Sequence, residues 1–250
     1  MLPVRETRQI MGMPITIELV GDGHRQVAEA AFQLFCDVDA RFSPFKPHSE
    51  LSRLNRGELN DAERSAQMDE VLALSELTRH ETMDFFNIRR PDGRIDPSGL
   101  VKGWAIRRAA RLVEASGLRD YCIEAGGDIQ CCGRNEQGTP WRIGIRNPFV
   151  PDEIVKVLVP GDGGVATSGT YVRGRHIYNP HSAQATVDDV ASITVVGPDI
   201  YDADRFATAA FAMGRAGIAF IEETVGLEGY AIDRDGIATM TSGFQGLVAS

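Results

Sequence analysis

Ile15, Ile17 and Leu19 alternate with polar neighbours, the period-two pattern of a half-buried strand. From Val27 the apolar positions change to helical spacing through Ala30, Ala31, Leu34, Phe35 and Val38, so the pattern predicts a strand followed by a helix. Beyond Phe42, Pro44 and Pro47 each disfavour a helical residue before them. The stretch Ser43-Pro44-Phe45-Lys46-Pro47 is therefore expected to run extended into a short helical turn at SELSRLN.

A second helix is predicted over residues 67–82 from Met68, Val71, Leu72, Ser75 and Leu77, and a third opens after Gly99 with Leu100, Val101, Trp104, Ala105, Ala109, Leu112 and Val113. Residues 121–125, 129–132, 141–146 and 154–159 are β-rich and are separated by Gly126-Gly127-Asp128 and by two polar turns. Further on, the pattern predicts a buried strand at 192–196, an alanine-rich helix at 202–213 and one arm of a hairpin at 230–233, turning through Asp235-Gly236. Closely spaced strands without a strict strand-helix-strand alternation predict an α+β fold of mixed, mainly antiparallel sheets packed with helices. With neither repeats nor low-complexity linkers, residues 1–250 are expected to form one domain.

Composition narrows the function. The 250 residues are 43% hydrophobic, enough for one substantial core. A formal charge of −9 argues against affinity for nucleic acid through a broad positive field, so an anionic ligand must be met by local charge or metal. No apolar run is long enough to span a bilayer and the start lacks the pattern of a secretory signal, so a cytoplasmic location is expected for the sequence as given. Cys36, Cys122, Cys131 and Cys132 have neither CxxC spacing nor the density of a disulfide scaffold, and are expected to be small buried apolar residues.

The richest stretch is DPSGLVKGWA, from Asp96 to Ala105, which crowds an acid, two glycines and Lys102 at the mouth of the third helix. Free backbone donors collect at such a start and suit a phosphorylated ligand. Asp204 and Thr208 stand four apart in DADRFATAAFAMG, which places a carboxylate and a hydroxyl on one helix face where two hard oxygens could hold Mg²⁺. Taken alone, such a pair more often makes a helix cap and a core hydroxyl. GDGGVATSGTY formally contains GxGxxA, yet it lacks the helical periodicity and acid of a dinucleotide fingerprint and is expected to be a loop able to cradle phosphate. Gly126-Gly127-Asp128 reads as a tight turn with positive φ in which the aspartate hydrogen-bonds backbone. His176, in HIYNP, is a candidate base or phosphate ligand, or a structural residue, and Met11 and Phe45 are candidates to clamp a flat ring or belong to the core.

The order of these segments (MGMPITIEL, FSPFKPHSELSRLN, DPSGLVKGWA, EAGGDIQCCG, PWRIGIRNP, VATSGTY, HIYNP, DADRFATAAFAMG) resembles the FAD:protein FMN transferase family, known as ApbE, from about Met11 to about Gly214. The resemblance implies an enzyme that takes FAD as substrate, attaches its FMN half through a phosphoester to a threonine or serine hydroxyl of an acceptor protein, and releases AMP. It implies Mg²⁺ held by Asp204, Thr208 and the main-chain carbonyl of Gly99. It further implies flavin contacts at Met11 and Phe45, contacts to the adenosine and pyrophosphate at Asp96 and Lys102, and phosphate contacts at Thr167 and Ser168.

Two departures from the family pattern stand out. The segment usually ending in an aspartate-proline turn with a glycine reads HIYNPHSA, without that aspartate and glycine. The stretch between Phe86 and Asp96 is short, so the contacts that longer members place there are expected to be either absent or supplied by Asn87 and Ile88. For the proton of the acceptor hydroxyl His176 is the expected base and Asp204 its competitor. The alternatives are an Mg²⁺-dependent FAD pyrophosphatase giving free FMN and AMP, and an FAD-binding protein without catalysis.

Overall fold

The computed structural model describes residues 3–22, 24–169, 181, 187 and 189–249. Strands β1 (Val4–Ile10) and β2 (Met13–Leu19) lead into helices α1 (Arg25–Phe42), α2 (Glu50–Asn55), α3 (Ala66–Glu81) and α4 (Ser98–Ala115). Strands β3 (Tyr121–Ala125), β4 (Asp128–Cys132), β5 (Ile143–Arg146), β6 (Ile154–Leu158), β7 (Gly163–Gly169) and β8 (Val190–Gly197) follow. Helices α5 (Ile200–Ala212) and α6 (Gly217–Glu223) then precede β9 (Glu228–Asp233) and β10 (Ala238–Met240).

Eight strands form one sheet in the order β1-β2-β3-β4-β7-β8-β9-β10, with every neighbouring pair antiparallel. The mixed antiparallel α+β architecture expected from the pattern is thus present. One face of the sheet is apolar: Ile15, Ile17, Leu19, Tyr121 and Ile123 are fully buried against Phe32 and Phe35 of α1, Trp104 of α4 and Phe211 of α5. Each such large side chain contributes about 1.5–3 kcal/mol by leaving water, so this layer holds α4 and α5 on the sheet. On the opposite face lies the two-stranded β5–β6 sheet, whose Ile143, Ile145 and Leu158 pack on Val165, Val196, Tyr230 and Ile232.

Besides the short helix α6, which the pattern did not predict, two elements depart from it. β1 was not predicted, because VRETRQI offers apolar side chains only at its ends and pairs as an edge strand through β2 alone. The turn joining it to β2 is Met11-Gly12, with φ of 57° and 73°, the left-handed pair that matches the twist of a tight hairpin. Of the expected loop GDGGVATSGTY, residues 163–169 form the central strand β7, hydrogen-bonded to β4 and β8, and Thr170 and Tyr171 lie outside the described residues. Glycine makes that possible: a Cβ at Gly164 would sit 2.4 Å from the Ile200 backbone, where the start of α5 crosses the strand.

Candidate active site

A cavity of about 460 Å³ opens where the start of α4 meets the β3–β4 turn, the end of β7 and the wall made by β5. Its deepest part is built by the close approach of α4 and α5. A Cβ at Gly103 would lie 2.7 Å from Asp204 Cβ and 2.9 Å from the Ile200 carbonyl, and one at Gly99 would lie 3.0 Å from Thr208 Cγ2. The glycines of DPSGLVKGWA therefore act as packing residues, letting one helix backbone touch the functional side chains of the other. Thr208 Oγ1 donates to the Gly99 carbonyl at 3.2 Å, and the Gly103 N–H donates to Asp204 Oδ2 at 2.7 Å. Gln130 of β4 accepts the Ile200 N–H at 2.8 Å, and Asp199 caps the helix through the Tyr201 N–H, so the start of α5 is fixed to the sheet.

Lys102 reaches from α4 between two buried carboxylates. Its ammonium pairs with Asp128 and stands 3.6 Å from Asp204 Oδ1. The Asp128 side chain hydrogen-bonds backbone as expected, its Oδ1 crossing to accept the Thr167 N–H of β7 at 3.1 Å. Among the described residues no aligned hydrogen-bond donor meets its Oδ2, which faces the charge of Lys102. The turn before it has the positive φ expected of Gly126 and Gly127, 58° and 95°. Burial pushes the Asp204 carboxyl up to about 7, Lys102 opposes that rise, and Asp128 beside it adds to it.

Two buried carboxylates facing one ammonium leave an excess of negative charge. Beside it the Asp204 carboxylate, the Thr208 hydroxyl and the Gly99 carbonyl offer only oxygen, the donor chemistry of Mg²⁺. These residues fit such an ion with the help of ligand phosphates and water, and among the described residues no cluster of three His, Cys, Asp or Glu forms a separate metal site.

At the mouth, Asp96 accepts the Ser98 N–H at 3.2 Å and pairs with Arg90. Burial works to raise its pKa, but the Ser98 hydroxyl and backbone N–H together with the Arg90 guanidinium outweigh it and hold the carboxyl below the ordinary range. Thr167 exchanges a 2.8 Å hydrogen bond with Thr194 of β8, and Ser168 follows it along the wall.

Asn87, Asp96, Gly99, Lys102, Thr167, Ser168, Asp204 and Thr208 are all brought to this one cavity. Met11 and Phe45 are not among its lining residues. Met11 sits in the β1–β2 turn, packed on the core, and Phe45, in the extended segment before α2, is 92% exposed. His176 lies outside the described residues. From the same segment His181 is described: its Nε2 donates to the Met83 carbonyl at 2.9 Å and its ring meets the edge of Phe85, a residue of the cavity wall. Sequence reasoning missed Asp128 as a cavity residue, together with Glu124, Arg5, Arg142 and Arg146. For Asp128 a signal existed, since an acid opening a strand directly after Gly-Gly stands where a turn meets a sheet end.

The model of the ApbE family matches residues 11–90 and 60–231. A FAD:protein FMN transferase of Vibrio cholerae serotype O1 is 35% identical over 133 residues, 50% of this chain and 40% of that protein. A FAD:protein FMN transferase of Salmonella typhimurium is 29% identical over 185 residues, 68% of this chain and 53% of that protein. The chain spans about half the length of the curated relatives it matches. Among solved structures, the ApbE protein of Thermotoga maritima superposes with a TM-score of 0.89 at 19% identity, covering 100% of both chains. Flavin transferase ApbE of Vibrio cholerae superposes with a TM-score of 0.84 at 24% identity, covering 98% of this chain and 99% of that one. These superpositions show a shared fold, and with a family model matching most of its length the chain belongs to the ApbE family.

Proposed function

We propose that this protein is an Mg²⁺-dependent flavin transferase that moves the FMN moiety of FAD onto a Thr or Ser hydroxyl of an acceptor protein and releases AMP. The observation that carries the reading is the meeting of an oxygen-only donor set, Asp204, Thr208 and the Gly99 carbonyl, with the Lys102 ammonium at the inner end of one cavity. The names of the similar proteins from Vibrio cholerae and Salmonella typhimurium support the same activity.

Asp204, Thr208 and Gly99 would hold the metal. When bound, Mg²⁺ would neutralise pyrophosphate charge and act as Lewis acid toward the departing AMP. Lys102 supplies a second, fixed positive charge for the pyrophosphate oxygens. Thr167 and Ser168 line the same wall with hydroxyls, and Asn87 and Asp96 offer polar contacts at its mouth. In the transfer, the acceptor hydroxyl oxygen forms the new bond to the FMN phosphorus, the bond to the AMP oxygen breaks, and the hydroxyl proton goes to a base. His176 is the candidate base and the Asp204 carboxylate its competitor.

Intact-mass spectrometry of a candidate acceptor domain, incubated with the protein, FAD and Mg²⁺ beside an EDTA control, tests the reading. A metal-dependent mass gain equal to FMN is the expected result. Free FMN and AMP without an adduct would replace it with a pyrophosphatase, and FAD that stays bound and intact would replace it with a binding protein.

A further inference from the structure

Asp128 has no role in the chemistry just described, yet it is a buried acid of the cavity held by both a backbone N–H and an ammonium. Its backbone position is rigid: it opens β4 opposite Ala125, directly after the left-handed Gly126-Gly127 turn. The Gly126 N–H is itself anchored to the Pro14 carbonyl of β2 at 3.0 Å. From there one carboxylate oxygen takes the backbone of β7 and the other takes the ammonium of α4. The side chain thus ties three elements together at the point where the cavity is deepest.

Lys102 has two buried carboxylates within reach and sits closer to Asp128 than to Asp204. A desolvated ammonium needs a counter-charge. If Asp128 carried none, Asp204 would be the buried carboxylate in reach among the described residues, and an ammonium drawn onto it would compete with a cation for the same oxygens. From this geometry we propose that Asp128 is a positioning residue: it holds the Lys102 ammonium toward the bound pyrophosphate and off Asp204, leaving Asp204 open to a divalent cation. The inference rests on the reading of the cavity as a site for a nucleotide pyrophosphate and a divalent cation.

The test is a double-mutant cycle of D128N and K102M with two binding readouts, Mn²⁺ by electron paramagnetic resonance without FAD, and FAD by flavin fluorescence quenching in EDTA. Asparagine keeps an acceptor for the Thr167 N–H and removes the charge. D128N is expected to weaken Mn²⁺ binding about tenfold when Lys102 is present and by less than about threefold when it is methionine, because the competitor is then gone. For FAD, D128N and K102M should each weaken binding about tenfold, and the double variant no further.

A cost of D128N that is the same in both backgrounds is plain loss of charge and overturns the proposal; so does wild-type binding of both ligands by D128N. Should D128N fail to fold, D128S, which keeps a hydroxyl acceptor for the Thr167 N–H, takes its place in the cycle. It must weaken Mn²⁺ binding about tenfold with Lys102 present and by less than about threefold in the K102M background, a coupling that unfolding does not produce, and an equal cost in both backgrounds overturns the inference. A wild-type protein that binds neither probe would sink both this proposal and the functional reading. Binding of both probes by wild type with an additive cycle would sink this one alone.

Discussion

At its inner end the cavity holds Lys102 between Asp128 and Asp204, with side chains 13%, 2% and 4% exposed. At its outer end Arg5 stands 3.4 Å from Glu18 with 74% of its side chain in solvent, and Arg142 and Arg146 are exposed on the adjoining wall. Both ends pair a basic side chain with carboxylates, and desolvation separates them. In water such a pair is worth about 0–1 kcal/mol, because solvent answers each charge. In the buried cluster each charge depends on its neighbours, so a change to one side chain alters the binding of an ion at the other. That contrast ranks the residues of the cavity by what their removal should do.

The largest effect is expected for D204A. It removes the carboxylate of the proposed metal set from a dry site, and Mg²⁺-dependent FMN transfer should fall on the order of 10³-fold. Mass spectrometry of the acceptor over a time course measures it. Transfer within a few fold of wild type would mean that the inner end is not where the chemistry occurs. H176Q in the same assay separates the two candidate bases: transfer retained at the wild-type rate would reduce His176 to a structural role.

G103A should follow. The added Cβ meets Asp204 Cβ at 2.7 Å, so α4 and α5 must separate. Overpacking of this kind costs about 1–3 kcal/mol, and a loss of transfer of roughly tenfold or more is expected as the Gly99 carbonyl leaves Thr208. Gly246, where an added Cβ meets nothing within 4 Å, provides the control. G246A should stay within about 0.5 kcal/mol in denaturant unfolding.

These glycines also show how far the sequence carries. The spacing of Asp204 and Thr208 is a local fact, four residues on one helix, and was legible. Their meeting with Gly99, 109 residues away from Thr208, depends on packing between helices that periodicity locates but does not pair. The motif order of a known family supplied that link. Alternation exposed β2 because one side of it faces the core, and β-rich composition between turns exposed β3, while β1 escaped notice as a polar edge strand. Small and hydroxylated residues made β7 resemble a loop, since its glycines answer the approach of α5 and not a turn. Met11 and Phe45 carry no positional signal of their own, and the structure leaves both out of the cavity lining.

A smaller effect separates stability from function at Asp204. Burial pushes its carboxyl up to about 7 in the folded protein, above the roughly 3.9 of an unfolded chain. Between those values the folded state holds the extra proton, so stability falls as pH rises through that window. The penalty is absent below the unfolded pKa and complete above the folded one. D204N keeps an acceptor for the Gly103 N–H and removes the charge, so it should melt about 2–4 °C above wild type at pH 8 in EDTA, for a gain of ~1 kcal/mol. The advantage should shrink toward pH 4. An advantage independent of pH would trace to packing and not to the buried charge.

The smallest effect belongs to the outer end. Arg142 and Arg146 alternate with the buried Ile143 and Ile145 of β5, so truncating either exposed side chain leaves the packing on the sheet untouched. Any help they give an anionic dinucleotide is a field through water, which reaches about 10 Å at 0.1 M salt and ~3 Å at 1 M. R142A and R146A should therefore raise the KM for FAD by no more than about threefold at low salt, with kcat unchanged, and the difference should vanish at 1 M. K102M provides the opposing case, since its partners are buried and its loss should persist at high salt. If the arginine variants kept a salt-independent defect, the outer wall would hold the ligand by direct contact, and the division between a dry reacting end and a wet approach would have to be redrawn.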